Sequence, residues 1–214
     1  MPTSFFLIRH GAYEHRASPE GTEAACDFGL SALGRQQARA LAERLARTGE
    51  IRADALFCST LPRAVQTAEL LAPALGLAPQ PVQDLCEWDS GNELLGMEAF
   101  TAQLRALSAA ERAGHRFWPG FETLAEFTAR VQGRLRELTR LYDGRTLVLV
   151  VHGGVVEAAF HHFLGFGPGP FTGGYPAAGH TSITHWRQST HRDEWVQAFA
   201  NDTHHLHGTS TPPP

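Results

Sequence analysis

Short, uninterrupted apolar runs alternate along the chain with longer segments in which apolar residues recur every three or four positions. The runs Ser4–Arg9, Asp54–Cys58 and Thr146–Val151 have the composition of strands that are buried on both faces of a parallel sheet. The segments Leu30–Arg47 and Leu124–Leu138 place their apolar residues on one stripe, which predicts amphipathic helices. This order of elements predicts an α/β fold, a three-layer α/β/α sandwich with a mainly parallel central sheet.

Local signals predict where two helices begin and end. Ser31 is expected to cap the first helix. After the second strand, either Ser59 or Thr60 is expected to cap another helix, with Pro62 in its first turn, where the missing N–H costs nothing. Pro73 is expected to end this helix, because proline cannot donate the backbone hydrogen bond that a helix interior requires.

Residues 88–120 interrupt the regular alternation of strands and helices. Cys86–Leu95 is expected to be a loop and Met97–Ala113 a helix, so we predict a lid-like insert over one end of the sheet. Two closing strands, Thr181–Trp186 and Glu194–Ala200, are expected after the last helix.

The composition is that of a folded protein without a general affinity for polyanions. The 214 residues are enough for one sizeable core, and we expect a single domain over residues 1–207 and a disordered tail over residues 208–214. Hydrophobic residues make up 43% and charged residues 19%, which excludes a disordered chain. The net charge of -4 predicts neither a nucleic acid nor an anionic membrane as a partner.

All 18 basic residues are arginine, and the chain contains no lysine. Schiff-base chemistry and the lysine of phosphate-binding loops are therefore excluded. Any bound anion must be held by arginine, histidine or backbone N–H groups. The sequence has no spacing typical of a structural zinc site, so neither a metal ion nor another cofactor is predicted.

The three cysteines and the N-terminal sequence bear on the compartment. Cys26, Cys58 and Cys86 are an odd number, and no two have the spacing C-x-x-C, so we expect reduced thiols. No apolar segment approaches the length of a membrane span, and no basic region precedes the first apolar run. The expected location is cytoplasmic.

Two predicted strands are followed directly by histidine and glycine, at Arg9–Gly11 and at His152–Gly154. Ligands bind at the carboxyl ends of parallel strands, so the two histidines face one crevice if these strands are neighbours. The glycines allow a ligand to approach the backbone closely. One histidine beside a glycine is usually structural, but two at the ends of the most buried strands favour a functional site.

Arg63 lies in the first turn of the helix after the second strand, close to the same crevice. A positive charge is unfavourable at a helix start unless an anion binds there. Arg9 and Arg63 offer fork-like donors for phosphate oxygens, and a neutral histidine offers a nucleophilic nitrogen. Together with His10 and His152 they predict a phosphate pocket that requires no metal ion.

Six short motif blocks occur in a fixed order along the chain. They are Arg9–Gly11, Leu30–Ala38, Ser59–Ala68, Leu85–Glu87, Val151–Gly153 and Asn201–Leu206. In these blocks the chain resembles the histidine phosphatase superfamily, in the branch that includes cofactor-dependent phosphoglycerate mutase. The resemblance spans about residues 5–206.

The resemblance implies a role for each matched residue. His10 would be the nucleophile that becomes phosphohistidine, and Arg9, Arg63 and His152 would bind the phosphoryl oxygens. Glu87 would donate a proton to the leaving oxygen and then activate the attacking water. Three other carboxylates are near enough along the sequence to compete for that role: Asp84, Asp89 and Glu93.

Two further residues are expected to take part in substrate binding. Gly153 belongs to the second histidine motif. Arg16 stands where many relatives have an asparagine that helps to hold the phosphate, and it either fills that site with more charge or points to solvent.

Three functions remain open at this stage. The leading one is a phosphomonoesterase that acts on a small phosphorylated metabolite. The second is a phosphoglycerate mutase, but such enzymes carry a longer insert with a lysine and paired arginines that this chain lacks. The third is a non-catalytic module that recognises a phosphorylated ligand, which the retained nucleophile, arginines and acid disfavour. The substrate is not predicted, and a homodimer is possible.

Overall fold

Strands and helices alternate along most of the chain. The computed structural model describes residues 1–16, 18, 20–167, 174–192 and 194–206. Within these residues the strands are β1 (Ser4–Arg9), β2 (Tyr13–His15), β3 (Asp27–Leu30), β4 (Ala55–Ser59), β5 (Pro79–Val82), β6 (Thr146–Val151), β7 (Ile183–Gln188) and β8 (Trp195–Asp202). The α-helices are α1 (Glu23–Cys26), α2 (Ala32–Thr48), α3 (Pro62–Leu75), α4 (Asn92–Leu95), α5 (Met97–Ala106), α6 (Ala109–Gly114), α7 (Leu124–Leu141) and α8 (Gly153–Phe163).

Six strands form the central sheet, in the order β5-β4-β6-β1-β7-β8. The strands β5, β4, β6 and β1 are parallel to one another. At one edge, β7 is antiparallel to both of its neighbours, β1 and β8. The strands β2 and β3 form a separate antiparallel pair. The predicted α/β fold with a mainly parallel central sheet is confirmed.

The strands β1 and β6 are adjacent and parallel, and they stay paired up to Arg9 opposite Val151. His10 and His152 follow these two residues directly, so both lie at the same carboxyl edge of the sheet. The condition on which the predicted crevice depended is therefore met.

The sheet separates two hydrophobic cores. Neighbouring residues of a strand point to opposite faces, so Leu149 packs in one core with Leu135 of α7, while Val148 packs in the other with Leu41 of α2 and Leu71 of α3. All five side chains are buried. Helices thus cover both faces, which gives the three layers.

Both predicted ends of the helix α3 are wrong. Pro73 lies inside its last turn, where it removes a single backbone hydrogen bond, and the helix ends instead at Gly76, whose φ of 67° is left-handed. At the start, Leu61 is the N-cap and makes no side-chain capping bond, so neither Ser59 nor Thr60 caps the helix. The Ser59 hydroxyl accepts a hydrogen bond from the Leu61 N–H.

The region 88–120 contains more breaks than its composition indicates. The predicted loop Cys86–Leu95 includes the short helix α4. The predicted helix Met97–Ala113 divides into α5 and α6, because Ser108 and Glu111 form a capping box that starts a new helix. The lid-like role of this insert stays a prediction.

The strands β2 and β3 and the helix α1 were not predicted, since segments of three or four residues carry no periodic signal. The predicted tail 208–214 lies outside the described residues. All three cysteines are free and buried. None of the described helices combines the length and the apolar character that crossing a membrane demands.

Candidate active site

His10 is held in one tautomer by two hydrogen bonds. Its Nδ1 lies 2.7 Å from the Gly11 carbonyl oxygen, which can only accept, so Nδ1 carries the proton. The Nε2 atom accepts a hydrogen bond from Arg63 Nε at 3.2 Å, and its lone pair therefore faces the arginine. The side chain is 2% exposed. Burial and the neighbouring Arg63 lower the pKa of His10 well below 6.5, which keeps it neutral and nucleophilic.

His152 lies beside His10, with the two ring centroids 5.0 Å apart. It is fully buried as the N-cap residue of α8, and neither of its ring nitrogens has a hydrogen-bond partner among the described residues. Burial is the main cause that lowers the pKa of His152 well below its usual value. Unpaired buried polar atoms are costly, and a neutral imidazole has one donor and one acceptor nitrogen, so these two atoms indicate a site for a polar ligand.

Arg63 is fixed by two carboxylates and one aromatic ring. Its Nη1 donates to Asp27 at 3.0 Å and its Nη2 to Glu23 at 3.1 Å. The Asp27 carboxylate also accepts from the Arg63 backbone N–H, and the guanidinium lies 4.3 Å from the centre of the Tyr13 ring. The orientation of Arg63 Nε towards His10 therefore results from these contacts.

Arg9 ends β1 with its side chain at the same edge of the sheet. Its Nη1 donates to the Ala178 carbonyl oxygen at 2.6 Å, while its buried Nε has no partner among the described residues. Gly153 is the first residue of α8, and a Cβ atom built there would lie 3.9 Å from Arg9 Nε. Gly153 therefore lies directly beside this N–H, where a Cβ atom would occupy the adjoining space.

Glu87 reaches the first turn of α8 from the other side of the crevice. Its Oε2 accepts from the Gly154 N–H at 3.1 Å, and its Oε1 accepts from the Trp88 N–H at 3.0 Å. A Cβ atom at Gly154 would lie only 2.3 Å from Glu87 Oε1, so the absence of a side chain there makes room for the carboxylate.

Arg16 lies outside this cluster, and of the two placements expected for it the structure shows the one towards solvent. Its guanidinium pairs with Glu14 at 3.5 Å, lies over the Phe28 ring and is largely exposed. Residues two apart on an extended segment share a face, which places Arg16 with Glu14 and opposite to Tyr13, whose ring contacts His10.

A family model described as histidine phosphatase superfamily (branch 1) matches residues 5–203. The chain belongs to the histidine phosphatase superfamily. It is 28% identical to the uncharacterized phosphatase PhoE of Bacillus subtilis over 167 residues, which cover 78% of this chain and 80% of that protein. It is 33% identical to a probable phosphoglycerate mutase, GpmB, of an Enterobacter species over 153 residues, or 69% and 68% of the two chains.

A solved structure of a mycobacterial glucosyl-3-phosphoglycerate phosphatase, in complex with VO3, superimposes on this histidine phosphatase superfamily member with a TM-score of 0.69. The two chains are 26% identical, and the match covers 92% of this chain and 98% of the other. The similarity therefore extends over the whole arrangement of sheet and helices that places the two histidines.

Four groups around the site of this superfamily member were not identified from the sequence. They are Tyr13, Glu23, Asp27 and His180, and they contact Arg63 or His10. The His180 ring centre lies 5.7 Å from that of His10, and burial lowers the pKa of His180 to about 4. The only available signal was the clustering of acidic residues before α2, which does not reveal which cation they pair with.

The motif glycine in α2 of this superfamily member has a packing reason. A Cβ atom at Gly34 would lie 1.8 Å from the Ala12 carbonyl oxygen, and one at Gly11 would lie 2.6 Å from the Gly34 carbonyl oxygen. Neither position has a left-handed φ. The two glycines allow α2 to contact the backbone directly after His10, and this contact supports the loop that carries His10.

A cavity of about 360 Å³ adjoins Glu87. Its charged lining consists of Glu23, Glu87, Asp89, Glu122 and Arg130. Arg130 binds Glu122 at 2.6 Å and also donates to two backbone carbonyl oxygens, so its donors are already engaged. Burial raises the pKa of Asp89, whose Oδ1 has no partner among the described residues. The cavity is therefore acidic, in contrast to the cluster of arginine and histidine side chains beside it.

Proposed function

We propose that this chain is a phosphomonoesterase that hydrolyses a small phosphorylated metabolite through a phosphohistidine on His10. The observation that carries the proposal is the geometry of His10 itself. Its proton is held on Nδ1 by the Gly11 carbonyl, and its Nε2 lone pair points at a cationic group, with His152 5.0 Å away. A neutral, oriented imidazole among anion donors is suited to attack a phosphorus atom.

In the first step, Nε2 of His10 attacks the phosphorus atom, and the bond from phosphorus to the leaving oxygen breaks. Arg9, Arg63 and His152 hold the three phosphoryl oxygens, and Arg63 Nε exchanges its bond to His10 for one to an oxygen. Glu87, in its protonated form, gives its proton to the leaving oxygen, so that an alcohol departs. The nitrogen lone pair becomes the phosphorus–nitrogen bond.

In the second step, a water molecule attacks the phosphohistidine from the side of the departed alcohol. Glu87, now a carboxylate, takes one proton from this water as its oxygen bonds to phosphorus. The phosphorus–nitrogen bond breaks, its electron pair returns to His10 Nε2, and inorganic phosphate is released. Glu87 ends protonated and ready for the next substrate.

The proposed reaction needs no metal ion. Two arginines supply fixed positive charge, and His152 can add a third positive group when it is protonated beside a bound phosphoryl group. Their N–H groups would offset the negative charge of the transferring phosphoryl group, as a divalent ion does in other phosphoryl-transfer enzymes.

The acidic cavity supports hydrolysis over phosphoglycerate mutase chemistry. A mutase must hold a substrate with a second anionic group beside the phosphate. Here Arg130 is engaged by Glu122, and Asp89 adds a further acidic group, so a carboxylate in the cavity meets like charge. We therefore propose that the substrate's alcohol portion is neutral or carries an amine.

A single-turnover experiment tests the phosphohistidine. Enzyme in excess over a phosphate donor is quenched at alkaline pH, where a phosphorus–nitrogen bond is stable, and the labelled peptide is mapped. The label is expected on His10 and absent in His10→Ala. A label on His152 or Ser59, or turnover without any label, would show that the mechanism is wrong.

A further inference from the structure

A second group of potential ligands lies outside the phosphate pocket. The side-chain donor atoms of His15, Cys26 and Glu93 lie within 4.8 Å of one another, which is the one such trio of metal-ligating side chains in the described part of the chain. His15 Nε2 and Glu93 Oε1 are 3.1 Å apart. The trio joins three segments, because His15 ends β2, Cys26 ends α1 and Glu93 lies in α4.

The spacing of these atoms fits a tetrahedral metal ion. Bonds of about 2.0–2.3 Å to sulfur, nitrogen and oxygen place neighbouring ligand atoms about 3.4–3.6 Å apart. The nitrogen and oxygen are already slightly closer than this, and the sulfur needs to move by at most about 1.2–1.4 Å. A thiolate, an imidazole and a carboxylate with one open position form a donor set that suits zinc and its chemical relatives.

The surroundings favour a cation and give it a path from solvent. The His15 side chain is 35% exposed and that of Glu93 is 16% exposed, whereas Cys26 is fully buried behind them. Burial raises the pKa of the Cys26 thiol, and the nearby carboxylates of Glu93, Glu23 and Asp89 add to this effect, so negative charge surrounds the sulfur. On binding, the metal forms a bond to sulfur and the thiol proton is released to water.

We propose that His15, Cys26 and Glu93 bind a zinc-type divalent ion, and that the occupied site slows turnover. The proposed effect on turnover rests on the proposed function. Cys26 directly precedes Asp27, which holds Arg63, and His15 lies two residues after Tyr13, on which Arg63 rests. A metal ion would tie these supports to α4 of the insert and restrain Arg63, which must turn from His10 to the phosphoryl group.

Cobalt(II) is the probe for binding, because a thiolate bound to it absorbs strongly in the near ultraviolet. Titration of the whole protein is expected to give this band with one equivalent of cobalt and to release a proton. Cys26→Ser should abolish the band, and His15→Gln or Glu93→Gln should weaken binding by at least about tenfold. The exposed controls His191→Gln and Glu98→Gln should bind as the original protein does.

His15→Gln keeps the test sound if Cys26→Ser fails to fold, because His15 is at the surface. Absence of the band at micromolar protein and cobalt, or a band that His15→Gln leaves unchanged, would overturn the site. Neither readout needs a substrate, so binding is judged even if the chain lacks phosphatase activity.

Measurement of kcat with and without zinc tests whether the occupied site slows turnover. Zinc at a concentration that fills the site is expected to lower kcat several-fold in the original protein and to leave His15→Gln unaffected. Binding of cobalt without any loss of kcat would refute the regulatory role. Equal inhibition of both proteins would place the inhibitory metal elsewhere.

Discussion

The contact between Gly154 and Glu87 gives the sharpest test of the proposed general acid. In Gly154→Ala the new Cβ atom would lie 2.3 Å from Glu87 Oε1, about 1 Å inside an ordinary contact. The carboxylate must move by that amount and gives up its hydrogen bond to the Gly154 N–H. The obstructing atom is the end of a flexible side chain, so the fold is expected to persist.

The expected loss depends on the leaving group. General acid catalysis contributes about 10²–10⁴-fold, and a misplacement of about 1 Å costs about 10²-fold. For an alkyl phosphate, whose alkoxide is a poor leaving group, kcat should therefore fall about 10²-fold. For p-nitrophenyl phosphate, whose leaving group needs little protonation, the loss should be several-fold or less.

The assay compares kcat for the two substrates in Gly154→Ala and in Gly133→Ala. Gly133 lies within α7, where a Cβ atom meets nothing closer than 3.9 Å, so this variant changes helix propensity without a clash. Alanine there should stabilise the protein by about 0.5–1 kcal/mol and leave kcat unchanged. Equal losses on both substrates in Gly154→Ala would refute the role given to Glu87, and so would full activity on the alkyl phosphate.

Three other outcomes follow from the site. Activity should survive a chelator, and loss of activity with EDTA that a divalent ion restores would contradict the proposed charge balance. Inhibition by sulfate, which stays dianionic, should weaken by up to about tenfold per pH unit as pH rises, because a bound dianion raises the low pKa of His152 and binding takes up a proton. Calorimetry in buffers of different ionisation enthalpy measures this proton uptake, and sulfate binding without proton uptake would contradict the role given to His152. The kcat/KM for phosphoethanolamine should be at least about tenfold higher than that for 3-phosphoglycerate, and Asp89→Asn should reduce this ratio. An equal or reversed preference in the original protein would show that the cavity does not select by charge.

The positions of His10 and His152 were predictable because each histidine directly follows the end of a buried strand. Two apolar runs followed by His-Gly predicted buried parallel strands, and the sheet order places β1 and β6 side by side. That adjacency brings the His10 and His152 rings to 5.0 Å. The position of Arg63 in the first turn of α3 was predictable in the same way, although the capping residue was not, and it brings Arg63 to His10. These positions follow from local pattern and from the rule that ligands lie at the carboxyl ends of strands.

The supports of Arg63 were not predictable, and the reason is physical. Glu23 and Asp27 lie 40 and 36 residues before Arg63 in a segment of short strands and one short helix. Such elements form because tertiary contacts stabilise them, so no periodic pattern in the sequence predicts them. The placement of Arg16 depended on the same segment, since its face of the chain is decided by the pairing of β2 with β3.

The distribution of paired and unpaired donors supports a proposal about which part of a substrate the site would hold. Asp27 and Glu23 hold the two terminal nitrogens of Arg63, and its Nε donates to His10. Arg9 Nε and both nitrogens of His152 are buried without partners among the described residues, and each such atom costs about 1–3 kcal/mol. A phosphoryl group can accept hydrogen bonds from Arg9 Nε and from one ring nitrogen of His152, and so can the product, inorganic phosphate. On the proposed function, affinity for the phosphoryl group would be common to every phosphomonoester, and discrimination between substrates would come from the acidic cavity beside Glu87.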